Sequence, residues 1–319
     1  MKNFRWSREL TLVVLLLCLF GAASILEPKF VTMRAQTLLA THLWELALVA
    51  IPMLLIVITA GIDLSVGSIV ALSAVSFGLM FERNVPPVVA AGLTVLVGTV
   101  LGSLNGWFVT KMKVHPLLVT LATLAAFRGM AEGISTARAI SGYPDWLLNA
   151  LQGPTPIVLF ALVAVATHLV MTQTYFGRWV VAIGTEENVS RFSRIPVDRV
   201  KQWLYGFSGL VCGIAAVLLV ARNNTAKADM ATGLELEAIT AVVLGGASIH
   251  GGKGRVTGLV LGLLLIHETR EFVSWHWKQN ELNLIVIGSL LILTVLLENI
   301  AERRKDRKPK VAITATENP

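Results

Sequence analysis

One carboxylate, Asp63, stands inside the stretch AGIDLSVGS at residues 60–68, between two runs of oily residues. Together with Arg128, Glu132, Glu235 and Glu237 it makes up the main set of ionisable residues within or beside apolar runs. A charge at the centre of a bilayer costs about 2.5–3.5 kcal/mol, so such side chains are expected to face protein or water. Arg128 and Glu132 are four residues apart, which puts them on one helical face and allows a local ion pair. Around Asp63, Gly61 and Gly67 let the chain leave helical geometry. Asp and Ser oxygens can then accept backbone N–H groups freed at a helix start. The stretch reads as a helix end and restart, with Asp63 capping a helix that begins near Leu64 and its charge placed at the positive helix terminus. Direct contact of Asp63 with a substrate or a proton is the alternative.

Other chemistry is missing from the sequence. A phosphate-cradling G-x-x-x-x-G-K-[ST] loop would need glycine at Ala247 and a hydroxyl at Gly254 in the glycine-rich run 245–255. A dinucleotide fingerprint starting at Gly252 and Gly254 fails at Thr257. The six histidines include no H-E-x-x-H pair, and His267-Glu268 leads to Glu271 instead. No serine occupies a G-x-S-x-G elbow. These gaps exclude nucleotide hydrolysis and the familiar zinc and acyl-transfer chemistries from this chain, and no catalytic residue, cofactor or metal is expected. Cys18 and Cys212 fall in apolar runs, where a thiol acts as a small hydrophobe.

The elements that must hold these residues follow from composition. Of 319 residues, 55% are hydrophobic and 15% charged, with a mean hydropathy of +0.70, which is too apolar for a soluble domain of this length. A membrane helix needs about 20 apolar residues. About ten stretches qualify or come close: 10–26, 43–60, 64–81, 87–110, 116–134, 155–172, 203–221, 235–248, 256–270 and 281–299. The eighth and ninth are short enough to be partial or broken spans. The first follows Lys2, Arg5 and Arg8 and is read as a retained span, with Ala22-Ala23-Ser24 as a weaker cleavage alternative. The expected fold is thus an all-α polytopic bundle over residues 1–301, with a disordered cytoplasmic tail over 302–319.

Lysine and arginine favour the cytoplasmic side of a membrane. With the N-terminus inside, eighteen of the 27 fall in cytoplasmic segments and eight outside, with Arg128 inside a span. That bias predicts both termini in the cytoplasm. It also places the net charge of +7 at loops and in a tail rather than on a soluble face, so no nucleic-acid partner is expected. Gly98, Gly102 and Gly106 recur every four residues, as do Gly254, Gly258 and Gly262. Each set lines one helix face and predicts a close helix–helix contact.

Four ordered segments carry a resemblance. ITAGIDLSVGS at residues 58–68, VHPLLVTLATL at 114–124, YFGR at 175–178 with the loop to Arg199-Val200-Lys201, and GLELEAITAVVLGG at 233–246 followed by Gly251, Gly252 and Gly254 resemble the permeases of ribose-type (sugar) ATP-binding-cassette importers. The likeness covers roughly residues 45–265. The chain departs from the family pattern at Ala60, Ala122 and Arg194, where glycine is usual, and it lacks the Asn-Gly pair near residues 267–272.

The resemblance implies a multi-pass permease subunit of the bacterial inner membrane, embedded in lipid. Its implied partners are a second permease copy or close relative, two cytoplasmic ATP-binding subunits and an external sugar-binding protein that delivers the sugar. ATP hydrolysis would then belong to a partner, and the chain itself would not be an enzyme. The loop 173–202 is the largest internal cytoplasmic loop of this topology. Within it, Glu186, Glu187, Val189, Arg191 and Phe192 are expected on a short ATPase-docking helix, with Thr185 as its cap and Phe192 as an apolar anchor. Sugar hydroxyls need hydrogen-bonding partners, because an unpaired buried polar group costs about 1–3 kcal/mol. Asp63, Ser65, Asn105, Thr120 and Thr123 are the pathway candidates, although a threonine in a span can instead bond its own helix. A proton-coupled secondary transporter, with Asp63 or Glu132 as relay, is the competing reading.

Overall fold

A computed structural model describes residues 8–278, together with 282, 283, 285–290, 292 and 296. The expected tenth span, 281–299, lies only in part within these residues, and the expected tail from Glu302 lies wholly outside them.

The described chain is helical. In order, it forms α1 (Arg8–Leu26), α2 (Met33–Leu39), a short 3-10 turn (Ala40–His42), α3 (Trp44–Ile58), α4 (Val66–Glu82), α5 (Pro87–Thr110) and α6 (Pro116–Ser135). It continues with α7 (Asp145–Leu151), α8 (Thr155–Gln173), α9 (Tyr175–Thr185), α10 (Glu187–Phe192), α11 (Val197–Asn223), α12 (Leu234–Leu244) and α13 (Val256–Trp277). Two-residue strands β1 (Ile140–Ser141) and β2 (Thr225–Ala226) pair antiparallel and tie the loop after α6 to the end of α11. α5 and α6 open on Pro87 and Pro116, whose missing N–H would have no intrahelical partner there. α11 ends at Asn224 in the left-handed conformation, a common helix stop.

Among the described residues, five helices are long and apolar enough to cross a membrane: α1, α5, α6, α8 and α11. A sixth is added if α3 and the preceding Met33–His42 segment, bent by 53°, count as one span. The first four expose most of their apolar surface, whereas α11 is mostly enclosed. Every residue of α3 from Glu45 to Ile58 is buried, among α8, α9, α11, α12 and α13. The architecture is therefore a central pair, α3 and α11, inside a ring of helices with lipid-compatible outer faces.

Several expected boundaries move. α11 starts six residues before the expected span because Val197–Gln202 continue its helix. α13 extends seven residues past the expected end, to Trp277, with the polar pair His267 and Glu268 buried in it. α12 is only 11 residues long.

The glycine faces sit at close helix contacts. A Cβ added at Gly98 would lie 2.4 Å from Gly209 O, and one at Gly102 would lie 2.3 Å from Tyr205 O, so α5 and α11 meet nearly backbone to backbone. Gly106 faces Gln202 at 3.1 Å. On α13, added carbons at Gly258 and Gly262 would meet Gly245 O at 2.0 Å and Ala241 O at 2.3 Å. Gly254, just ahead of α13, instead faces the Ile58 side chain of α3.

Candidate functional site

The chain between α3 and α4 crosses the protein interior without helical hydrogen bonds, so its polar groups need other partners. Asp63, Ser65, Asn105 and Ser208 are fully buried there. Asp63 Oδ1 accepts the Ser65 N–H at 3.0 Å and the Ser65 hydroxyl at 2.6 Å, while Oδ2 accepts the Ser208 hydroxyl of α11 at 3.1 Å. Asn105 of α5 donates to Ser65 Oγ at 2.7 Å. Thr120 of α6 donates to Ile62 O at 3.1 Å, which satisfies a carbonyl freed by the break. One carboxylate thus joins α3, α4, α5 and α11, with α6 attached through Thr120.

The helix restart differs from the expectation. α4 begins at Val66 with Ser65 in the N-cap position, and Asp63 holds the Ser65 N–H rather than a donor of the first helical turn. Leu64 lies in the turn because Ala60 and its neighbours take the chain out of helical geometry first, with Ala60 at φ 59°. Thr123 bonds Val119 O and Thr120 O of its own helix and reaches nothing across the break. The Arg128–Glu132 pair does not form, because Arg128 reaches the freed carbonyls of Ala228 and Met230 at 2.5 and 2.8 Å. Glu235 packs against Gly67 at the start of α4.

At the helix ends away from α9 and α10 lies a second polar group; of its members the sequence singles out Glu237 beside an apolar run, while Arg222 and Arg270 count only as loop charge. Arg222 pairs with Glu45 at 2.8 Å, and Arg270 pairs with Glu237 at 2.7 Å and with Glu271 at 3.0 Å. His42 completes the set on Glu271 at 3.3 Å. A cavity of about 150 Å³ opens between these pairs, lined by His42, Glu45, Arg222, Thr232, Glu237 and Arg270 among others. A cavity of about 370 Å³ shares His42, Glu45 and Arg222 with it and adds Trp44 and Gln152. Glu45 Oε2 is buried without a hydrogen-bond partner. The signal in the sequence is two lone charges at the ends of apolar runs, Glu45 just inside the start of 43–60 and Arg222 just past the end of 203–221.

At the opposite ends of the helices, the expected coupling segment folds as two helices, α9 and α10. Thr185 does not cap the second: its hydroxyl bonds back to Val181 O within α9, and Glu186, extended at φ −159°, takes the N-cap position of α10. Glu187 binds Arg191 at 2.8 Å and Lys201 at 2.5 Å, while Asp198 binds Arg191 and Lys113, each at 2.7 Å. Burial pushes the Glu187 carboxyl up, but hydrogen bonds from Lys201 and Arg191 outweigh it and hold the group below the ordinary glutamate value. The hydrogen bonds that Arg191 donates, to Asp198 first and Glu187 second, raise Arg191 in turn. This lattice fixes α10 on the start of α11 and leaves Val189 and Phe192 outward, Phe192 at 89% exposure.

A backbone junction links that segment to the break. Gly184, in the last turn of α9, sits so close to α3 that a Cβ there would lie 1.6 Å from Ile58 O. The Gly252 N–H donates to the same carbonyl at 2.8 Å. Ile58 O is the last carbonyl of α3, so one orphan helix-end group receives both the glycine-rich loop and the coupling segment.

Residues 37–295 match the family described as branched-chain amino acid transport system, permease component. The autoinducer 2 import system permease protein LsrD of Yersinia pseudotuberculosis serotype IB is 34% identical over 331 residues, covering 96% of this chain and 98% of the relative. LsrD of Yersinia pestis strain Pestoides F is 34% identical with 95% and 98% covered, and that of Yersinia enterocolitica serotype O:8 is 34% identical with 94% of each covered. No solved structure matches the chain. The chain belongs to this permease family: it is a multi-pass inner-membrane permease subunit of a sugar-type ATP-binding-cassette importer, and it is not an enzyme, since hydrolysis resides in a separate ATP-binding subunit.

Proposed function

We propose that this permease carries a neutral, polyhydroxylated solute related to the autoinducer 2 signal for which its relatives are named, and that it does so paired with a second permease copy. The supporting observation is the outer cavity, where Glu45 and Glu237 are matched one for one by Arg222 and Arg270. A balanced lining neither repels nor selects a charged solute, and its unpaired Glu45 oxygen accepts a hydroxyl proton. An indole, Trp44, borders the adjoining space.

In this reading ten spans place both termini in the cytoplasm, and the external binding protein delivers cargo to the Glu45–Arg222 end. Phe192 and Val189 dock in the cytoplasmic ATPase, and the Gly184–Ile58–Gly252 junction passes its closure to the α3–α4 break. Asp63 acts as the knot of that break, with Ser65 and Asn105 at the inner wall of the pathway. The test is uptake into vesicles holding the permease, its ATPase and the binding protein. ATP-dependent uptake of autoinducer 2 that ignores a proton ionophore supports the reading. Uptake driven by a proton gradient through the permease alone refutes it and restores the secondary-transporter reading.

A further inference from the structure

An apolar cavity lies away from both polar sites, between α8, α9 and α11, beside the segment that carries α9 and α10. Its volume is about 790 Å³, and apart from Thr167 and Arg199 its lining side chains are apolar or indole, with Leu55 of α3 among them. Along α11 it runs from Pro196 to Phe207, which at about 1.5 Å per residue is about 16 Å. That is about half of a hydrocarbon core about 30 Å thick, the depth of one leaflet.

Its polar end has a definite chemistry. Arg199 and Trp203 are four residues apart and share a face of α11, and Trp179 of α9 lies beside them, half-buried. Indoles favour the headgroup layer. The charges next to it on α11 are engaged, Asp198 with Arg191 and Lys113, and Lys201 with Glu187. Arg199 has no carboxylate within ion-pairing distance among the described residues, so an apolar groove ends at an unpaired guanidinium. Such a fork matches a phosphate bidentately, and basic pockets between spans on the cytoplasmic side suit phospholipid headgroups.

We infer that this groove binds an anionic glycerophospholipid of the cytoplasmic leaflet, with one acyl chain along α8 and α11 and the headgroup phosphate on Arg199. The chain then packs against Phe176 and Trp179 of α9, the helix that leads through Gly184 into the coupling segment. Nothing in this inference depends on the cargo.

The test uses the full-length protein reconstituted in vesicles of phosphatidylethanolamine, with phosphatidylglycerol or further phosphatidylethanolamine carrying brominated acyl chains added as the minor component. The Trp179 contribution to fluorescence is the part lost in Trp179→Phe. Brominated phosphatidylglycerol should quench it at about fivefold lower mole fraction than brominated phosphatidylethanolamine, the equivalent of about 1 kcal/mol for one basic residue near the surface. In Arg199→Gln the two curves should coincide. Native mass spectrometry of the detergent-purified wild type should show retained phosphatidylglycerol. Coincident curves in the wild type overturn the proposal, as does a preference that survives Arg199→Gln. Absence of quenching by either lipid does so too, and would place a second copy or another protein in the groove.

Discussion

Replacing Gly184 with alanine tests the junction between the coupling segment and the broken span. The new methyl carbon would lie 1.6 Å from Ile58 O and 2.6 Å from the Gly252 nitrogen. Carbon atoms of this kind essentially never approach below 3.0 Å, so α9 and α3 must separate by about 1.4 Å (3.0 − 1.6) at that point. Neither obstacle is a flexible side chain. Overpacking of this sort costs about 1–3 kcal/mol. Separation also stretches the 2.8 Å bond from Gly252 N–H to Ile58 O, and a buried polar group left unsatisfied adds about 1–3 kcal/mol. The sum, about 2–6 kcal/mol, should lower the melting midpoint of the detergent-solubilised protein by about 3–9 °C. Association with the ATPase should persist, because Val189 and Phe192 are untouched, while ATP-driven uptake falls. Gly92→Ala and Gly133→Ala are internal controls, since nothing lies within 4 Å of a Cβ at either position; they should be neutral or stabilising by up to about 1 kcal/mol. A Gly184→Ala protein that melts and transports like the wild type would refute the reasoning.

Other substitutions separate the remaining roles. Phe192→Ala should abolish co-purification of the ATPase without changing the melting midpoint, because the residue is 89% exposed; retained co-purification would remove it as the anchor. Glu187→Gln should instead loosen α10, and its effect should depend on pH. The Glu187 carboxyl sits below its ordinary value, so its contribution is present above about pH 4.5 and disappears as pH falls through the lower folded value. The group is more than one-third exposed, which limits the contribution to about 0.2–1 kcal/mol, screened by salt. Melting curves between pH 3 and pH 7 should therefore converge for wild type and Glu187→Gln at the acid end, and parallel curves would contradict the assignment. Ala60→Gly and Arg194→Gly should each stabilise by about 1 kcal/mol, since both residues hold left-handed φ, 59° and 60°; a loss of stability in both would show that their side chains matter more than their backbone. Asp63→Ala should destabilise by about 2–4 kcal/mol by stranding the Ser65 and Ser208 donors. Asp63→Asn should keep ATP-driven uptake, and its loss with normal folding would return a proton role to this carboxylate.

Long apolar runs were readable because a membrane helix must satisfy its own backbone, leaving length and composition as the main variables. The glycine triplet on α5 was readable for a similar reason, since a repeat of four maps to one face. Asp63 stood out as a carboxylate between oily runs, and its serine partner two residues on could be read locally. Ser208 could not, being 145 residues away in an unremarkable apolar span. The same holds for Glu45 with Arg222, which look like separate loop charges until α3 and α11 are packed side by side. Thr185 misled because a hydroxyl ahead of two acids resembles a cap, yet α9 runs on through Thr185 and its hydroxyl closes on Val181 O. The departures at Ala60 and Arg194 gain meaning only from the backbone, which requires positive φ where the resembled family has glycine.

The two interruptions in the bundle are one structure rather than two. Ending α3 at Ile58 inside a buried setting leaves carbonyls that no water can reach, and each such group must find a protein donor. Thr120 takes one, at Ile62, and the Gly252 N–H of the loop between α12 and α13 takes another, at Ile58. The second break therefore supplies the donor that the first one needs. A side chain at Gly184, Gly251 or Gly252 would push these backbones apart: added carbons there would meet Ile58 O at 1.6 Å, Gly184 O at 2.5 Å and the Thr185 hydroxyl at 2.7 Å. Because Gly184 belongs to α9, α9 and α10 cannot move together as a rigid body without disturbing the Ile58 carbonyl and, through five residues of chain, the Asp63 knot. Such tight, side-chain-free contact is what the proposed coupling requires, since packed interiors respond to strain by switching arrangement rather than by deforming smoothly.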